Sequence, residues 1–411
     1  MRRLHSPNGF GVLCPARFLA LFLALFFALS APPLRAEPRP VVIGLDADMS
    51  AGSAQAGEAI RRGALLAVEE INAAGGLLGR PLVLDVRDHR GNPLRGVINM
   101  EQFAQNPDLL AVLGGLHTPV ALEELDLVHR ERIIFLIPWA AGTGVVDNGY
   151  EPNFVFRVSV RDEYAGAFLV NAALGAGYRR PGLLLEQTGW GRSNERAMLQ
   201  ALAEHDLHAA RVEWFHWGVR DMTPQMDRLR DADADVILLV ANAPEGAVAV
   251  DTLHRLPEDQ RRPIVSHWGI TGGGFYGLLE TRACLDGLYF LQTFSFLQPQ
   301  FPERAAALFQ RYQAAFPETD SPRQIPAPPG TAHAYDLVHL LARAVEQAGT
   351  LDRELVRDAL ERLEFHQGVM RDYAPPFTPN RHDALTADDF RIACFAPDQA
   401  IVPCTITPRQ D

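Results

Sequence analysis

A chain of 411 residues that is 47% hydrophobic is long enough for two cores. Its 50 acidic against 38 basic side chains leave a net charge of −12, which disfavours nucleic acid and anionic membrane surfaces as partners. Every basic residue is arginine, and a chain without lysine can use neither Schiff-base chemistry nor a phosphate-loop lysine.

The N-terminus carries Arg2, Arg3 and Arg17, then the apolar run 18–31, two prolines and the small residue Ala36. A spanning helix takes ~20 residues, so this shorter run reads as a secretory signal peptide cut after Ala36. An uncleaved anchor is the alternative, disfavoured by the length of the run. Cys14 precedes the apolar run and no acylatable cysteine follows the cut, so a free protein with no membrane insertion is expected. Removing the four leader arginines from −12 leaves −16 for residues 37–411.

Next comes a strand-like run at 41–45, then apolar positions Ile60, Ala64, Ala67, Val68 and Ile71 at helical spacing. Ser53 is a candidate N-cap, and Gly75 and Gly76 a candidate stop. The alternation continues with strand-like runs at 82–86, 109–114, 133–138, 154–160, 182–186, 211–215, 236–240, 264–267 and 288–293. Helical patterns at 93–105, 119–130, 162–175, 193–206, 222–232 and 245–255 fall between most of them. This order predicts an α/β fold with parallel sheets covered by helices on both faces. Helical patterns at 302–316, 331–348 and 352–364 then follow one another. Short strands at 367–371, 389–395 and 401–406 predict a tail that completes an existing sheet. Cys394 and Cys404 bracket a terminal hairpin and can pair in an oxidising compartment, leaving Cys284 as a small apolar residue. Three unpaired thiols are the alternative.

Catalytic and cofactor motifs are missing. Gly142 and Gly144 follow a strand but lead to no third glycine opening a helix, so they read as a turn. The 13 histidines form neither HExxH nor a Cys/His grid. His205 and His208 read as a solvated face, and His216 beside Trp217 as strand-end packing. No serine sits in a GxSxG elbow. No cofactor or metal is expected.

In open α/β sheets, ligands bind beyond the carboxyl ends of the strands. Those ends carry Asp46 and Asp48, His117 and Thr118, Trp139 and Ala140, Trp190, Asn242, and His267 and Trp268. Each tryptophan singly reads as core, but three at equivalent loop positions point to a cleft that stacks on an aromatic, cationic or apolar ligand. Thr118 opens a helix whose free N–H groups suit an anionic group, or it is a simple cap. Asp46 and Asp48 attract a cation, or cap the helix that follows Ser53.

Four segments carry a family resemblance: GALLAVEEINAAGGLLGRPLVLDVRD (63–88), LAVLGGLHTPVAL (110–122), NFVFRVSVRDEYAG (153–166) and TAHAYDLVHLLARAVEQAG (331–349). With them the chain resembles the periplasmic, branched-chain-amino-acid-type (type I) substrate-binding proteins of ABC importers. The resemblance implies two Rossmann-like lobes hinged by three crossover strands. Lobe I would comprise 37–158 and 292–366, and lobe II 159–291 and 367–411. It also implies a periplasmic protein that binds a small solute and docks on a permease.

The family's carboxylate loop corresponds to Leu116, His117 and Thr118, so Thr118 keeps a hydroxyl. Its Pro-x-Ala-Ser/Thr segment becomes Pro138, Trp139, Ala140 and Ala141, which loses one. Its Tyr-Gly pair becomes Trp190 and Gly191. The acid that holds an α-ammonium should fall near Trp268 and Gly269, where none stands, and Glu280 is too distant. A buried ammonium without a countercharge costs several kcal/mol. The expected ligand is therefore not leucine, isoleucine or valine. It is a small solute with an aromatic or apolar body that carries a carboxylate or amide. The competing readings are a ligand-sensing receptor of the same fold and a secreted α/β enzyme, for which no convergent nucleophile and base are visible.

Overall fold

The computed structural model describes residues 38–281 and 285–409. The expected signal segment 1–36, with Cys14, and also Cys284 lie outside the described residues.

The first sheet is assembled from β1 (Val41–Ala47), β2 (Leu82–Asp88), β3 (Leu109–Leu113), β4 (Ile134–Ile137) and β5 (Val155–Arg157). All its pairs are parallel, in the order β2-β1-β3-β4-β5. Between the strands run α1 (Ala54–Ala73), α2 (Pro93–Ala104), α3 (Thr118–Arg130) and the short α4 (Thr143–Val146). β1, β3 and β4 are buried throughout, as strands covered by helices on both faces must be. β2 lies at the edge and exposes Val83 and Val86.

The chain then crosses to the second sheet through α5 (Asp162–Gly175), β6 (Pro181–Glu186), α6 (Gly189–Ala203), β7 (Arg211–Phe215), α7 (Thr223–Asp231), β8 (Val236–Val240), α8 (Ala243–His254), β9 (Ile264–Ser266), α9 (Phe275–Leu278) and β10 (Leu288–Gln292). Strand alternation divides the packing here. Leu183 and Leu185 of β6 enter the core shared with the first sheet, while Leu184 enters a second core with Phe215, Leu239 and Phe290.

After β10 the chain returns through α10 (Pro302–Ala315), α11 (Pro328–Ala348) and α12 (Arg353–Leu360). α11 lies along α1 so closely that a Cβ on Gly63 would meet the Thr331 carbonyl oxygen at 2.1 Å. Only glycine fits that crossing. The hairpin β11 (His366–Gln367) and β12 (Asp372–Tyr373) follows. Asp336 of α11 accepts from the N–H groups of Val369 and Met370 and from the Tyr373 hydroxyl. Residue Asp383 then bridges to Arg157 at the end of β5. The chain passes to the second sheet only after this segment, later than the sequence boundary at 367.

The tail ends in β13 (Arg391–Phe395) and β14 (Ile401–Pro403), antiparallel additions in the order β14-β13-β10-β9-β8-β6-β7. Cys394 and Cys404 are bonded, with Cα atoms 5.9 Å apart. Closing a loop of this length stabilises the fold by ~2–3 kcal/mol. Exchanging both for serine is expected to lower the free energy of unfolding by about that amount. A denaturant titration reads this as a lower midpoint at constant slope, and an unmoved midpoint would show that the hairpin holds without its link.

Candidate functional site

The carboxyl ends of both sheets open on one narrow crevice. On the side of the first sheet its wall is Leu116, His117, Thr118, Pro119, Trp139 and Ala141. On the other side stand Glu186, Trp190, Asn242 and Trp268. The space between is about 10 Å³, hardly one water molecule.

Trp139 follows β4 and Trp268 follows β9, so they come from different sheets. Their rings stack on each other with centroids 4.6 Å apart and planes 21° from parallel. His333 of α11 lies against Trp268 at 5.7 Å. Its Nδ1 is 2.9 Å from the Pro138 carbonyl and its Nε2 3.0 Å from the Thr293 hydroxyl. A carbonyl can only accept, so Nδ1 carries the proton and Nε2 accepts from Thr293. Burial pushes His333 down to about 4, which keeps the ring neutral at physiological pH.

The first wall carries one hydroxyl donor, Thr118. Thr118 begins α3, and its Oγ1 accepts from the Gly142 N–H at 3.1 Å, which leaves the hydroxyl proton free to donate. The 140–142 loop is held from behind by Arg157, which is fully buried. Its Nη1 donates to the carbonyls of Ala140 and Gly142 at 3.1 and 2.9 Å, and its Nε to Asp383 at 2.5 Å. His117 caps the same helix and sits 3.4 Å from Asp48. Burial pushes the Asp48 carboxyl up, but His117 and the N–H groups of Ser53 and Ala51 outweigh it and bring it to about 2.

The second wall holds the acceptors. Glu186 ends β6 and is wholly buried. It accepts from the Thr188 hydroxyl at 2.7 Å, the Trp217 indole at 2.8 Å and the Asn242 amide at 3.1 Å. Burial raises its carboxyl to about 7 despite those donors, and nearby Glu245 and Asp162 push in the same direction. Thr188 also caps α6, so that helix starts at Gly189 rather than at 193 and carries Trp190 inside its first turn. The Trp190 indole donates to Asp162 at 3.2 Å, and its ring meets His267 edge-on at 5.0 Å. A Cβ on Gly191 would meet the Glu186 carbonyl oxygen at 1.8 Å, which accounts for the glycine after this tryptophan.

The strand ends thus bring together His117, Thr118, Trp139, Ala141, Trp190, Asn242 and Trp268. Ala140 lies behind the wall, with its N–H donating to Gly115 and its carbonyl tied to Arg157. Asp48 stands behind His117 and serves the loop before α1. Asp46 must be taken out of the set. It is buried beside Glu124 and Asn99 in the first sheet's core, where burial raises both its carboxyl and that of Glu124.

One wall residue, Glu186, and its neighbour Trp217 are not among the residues the sequence singles out for the site. Glu186 is the last residue of β6, a position that the strand-end rule covers. Trp217 is 38% exposed; its ring lies 5.4 Å from that of His117 and its indole donates to Glu186, so it packs behind two wall residues. Glu186 lines the crevice together with Trp268, although the two come from different strands.

Among the described residues no group of three or more His, Cys, Asp or Glu is placed to hold a metal ion. No described helix is long and apolar enough to cross a membrane.

The profile of the periplasmic binding protein family matches residues 40–393. The chain belongs to that family. It is a solute-binding protein of the ABC-transporter class and not an enzyme. A Leu/Ile/Val-binding protein homolog of Brucella melitensis is 23% identical over 81% of this chain and 86% of its own length. The Leu/Ile/Val-binding protein BraC3 of Rhizobium johnstonii is 24% identical over 78% and 83%.

Among solved structures, a type 1 periplasmic binding protein from Bordetella pertussis superposes with a TM-score of 0.80 at 22% identity, covering 89% of this chain and 100% of its own. A branched-chain amino acid transporter substrate-binding protein from Streptococcus pneumoniae, solved with isoleucine, gives 0.73 at 19%, over 88% and 98%. A solute-binding protein from R. palustris, solved with 4-hydroxybenzoate, gives 0.74 at 15%, over 89% and 96%. The two-sheet architecture is that of type I periplasmic binding proteins.

The raised Glu186 carboxyl has a consequence for stability. A group moved from the usual 4.5 up to about 7 contributes fully below 4.5, and that contribution is lost as pH rises through 7. Relative to Glu186→Gln, the native protein should lose on the order of 3 kcal/mol between pH 4.5 and 8. Thermal melts of both proteins at pH 5 and pH 8 measure this. Parallel pH profiles would contradict it.

Proposed function

We propose that this binding protein captures a small solute with a flat aromatic or apolar body and a carboxylate or amide end. It is exported to the periplasm by its cleavable signal and passes the solute to an ABC permease in the inner membrane. The observation that carries this reading is the Trp139–Trp268 stack across the crevice, beside the N-terminus of α3.

A flat solute placed between those rings exchanges one ring–ring contact for two. Stacked aromatic centroids lie about 4.5–7 Å apart, so insertion needs the sheets to part by roughly one such spacing. The three crossings between the sheets permit a movement of that kind. The Thr118 hydroxyl at the start of α3 then receives the acceptor end. Trp190 and Trp268 close from the other side, and the ligand shifts the balance toward the closed form that a permease recognises.

Proteins of this fold hold isoleucine in one case and 4-hydroxybenzoate in another. The fold therefore admits branched and aromatic solutes alike, and the ring pair favours the flat one. Tryptophan fluorescence and thermal shift with aromatic carboxylates and with leucine test the reading. Aromatic carboxylates should change the fluorescence and raise the melting temperature, whereas micromolar binding of leucine alone would end it. Trp190→Ala should weaken binding by ~1–3 kcal/mol in calorimetry, and an unchanged affinity removes Trp190 from the lid.

A further inference from the structure

The two sheets also meet outside the crevice, along a seam where glycine faces glycine. On the side of the first sheet the seam is the loop that leads into α1. Asp48 holds this loop by accepting from the N–H groups of Ala51 and Ser53 at 2.7 and 2.9 Å, and the same carboxylate stands 3.4 Å from His117 of the crevice wall. On the side of the second sheet the seam is Gly272, Gly273 and Gly274, joined to Trp268 by the single helical turn Trp268–Thr271. In that turn the Thr271 hydroxyl donates to the Trp268 carbonyl at 2.7 Å, and the Gly272 N–H to the Gly269 carbonyl at 3.1 Å. Each side of the seam is therefore tied to one wall. Across it, Ala56 in the first turn of α1 donates its N–H to the Gly272 carbonyl at 2.8 Å, and the Gln55 side chain accepts from the Gly274 N–H at 2.8 Å. A Cβ on Gly273 would meet the Gly52 carbonyl oxygen at 1.7 Å, and one on Gly52 would meet the Pro244 ring at 3.1 Å. Neither of these glycines has a positive φ. The approach of the two halves, rather than the backbone conformation, is what excludes a side chain from Gly273.

We propose that the contact of Gly52 with Gly273 sets how closely the two walls approach, and so how large a solute the crevice selects, although neither glycine lines it. The inference rests on the reading above only in taking the crevice as the ligand site. Non-bonded heavy atoms pack at about 3.5 Å, so one methyl group on Gly273 forces the seam apart by roughly 1–2 Å. The loop and the turn that carry the seam are short and hydrogen-bonded, and they pass this displacement to the walls. Trp268, one turn away from the seam, then draws back from Trp139, and the 4.6 Å stack opens. A small flat solute held between two ring faces loses contact with one of them. A larger solute already needs the wider crevice and loses less. The hydrogen bonds of Ala56 and Gln55 form only while the two halves are together, so they favour the closed form whatever the solute. Gly52 and Gly273 are positioning residues for the solute, acting through the two walls.

Acrylamide quenching of tryptophan fluorescence and the near-ultraviolet circular dichroism of the Trp139–Trp268 stack test the seam without any solute. Gly273→Ala should raise the quenching constant and weaken the dichroism of the stack. Gln55→Ala, which removes one seam hydrogen bond from an exposed side chain, should do the same to a smaller extent. Gly277→Ala should leave both signals native, because a Cβ there meets nothing within 4 Å. Calorimetry with 4-hydroxybenzoate and 2-naphthoate then reads selection. In Gly273→Ala the ratio of the two affinities should move about tenfold toward the larger acid, whereas a merely loosened fold weakens both alike. A Gly273→Ala protein with a native melt, native quenching and native dichroism overturns the proposal. If that variant does not fold, Gln55→Ala decides by the same spectra, and unchanged spectra overturn it. Altered spectra with an unchanged affinity ratio overturn the role in selection. If neither acid binds the native protein, the flat-solute reading falls and the spectra alone judge the seam.

Discussion

The contact on which this molecule turns is the stack of Trp139 on Trp268, because each ring belongs to a different sheet. Neither strand end could hold its ring in that place alone. Trp139 leads into a loop fastened by Arg157, and Trp268 rests on His333, which is hydrogen-bonded to both sides. Buried polar groups with satisfied hydrogen bonds make such loops stiff. Stiff loops bring two large rings to 4.6 Å with little room elsewhere.

The same arrangement makes the crevice asymmetric. One wall is the start of a helix, with the Thr118 hydroxyl as a donor. The opposite wall is a strand end with a carboxylate, Glu186, whose donors Thr188, Trp217 and Asn242 are neutral. Water is largely excluded from the space, so each unbalanced polar group there acts more strongly than it would at the surface. An apolar crevice with one donor wall and one acceptor wall selects by charge pattern as well as by shape.

Much of the fold is legible in the sequence because its signals are local. The spacing of Ile60, Ala64, Ala67, Val68 and Ile71 defines the buried face of α1, and continuous apolar runs mark strands covered on both sides. The strand-end rule likewise locates His117, Thr118, Trp139, Trp190, Asn242 and Trp268, since chain order alone places each after a strand. Asp46 misleads because it is the penultimate residue of β1 and points into the core beside Glu124, whereas Asp48, two residues on, has left the strand. Trp217 misleads because nothing local shows that its ring meets His117 from another sheet.

The amino-acid sequence by itself determined the alternating elements, the glycines at tight crossings and the strand ends that form the walls. These follow from the periodicity of side chains along a helix or strand, which neighbours in the chain set between them. Only the tertiary structure decided that two tryptophans meet each other, that Glu186 lines the crevice with them, and that the tail follows the first sheet before joining the second. Those are relations between segments far apart in the chain. They depend on how two sheets pack, and no local pattern encodes that.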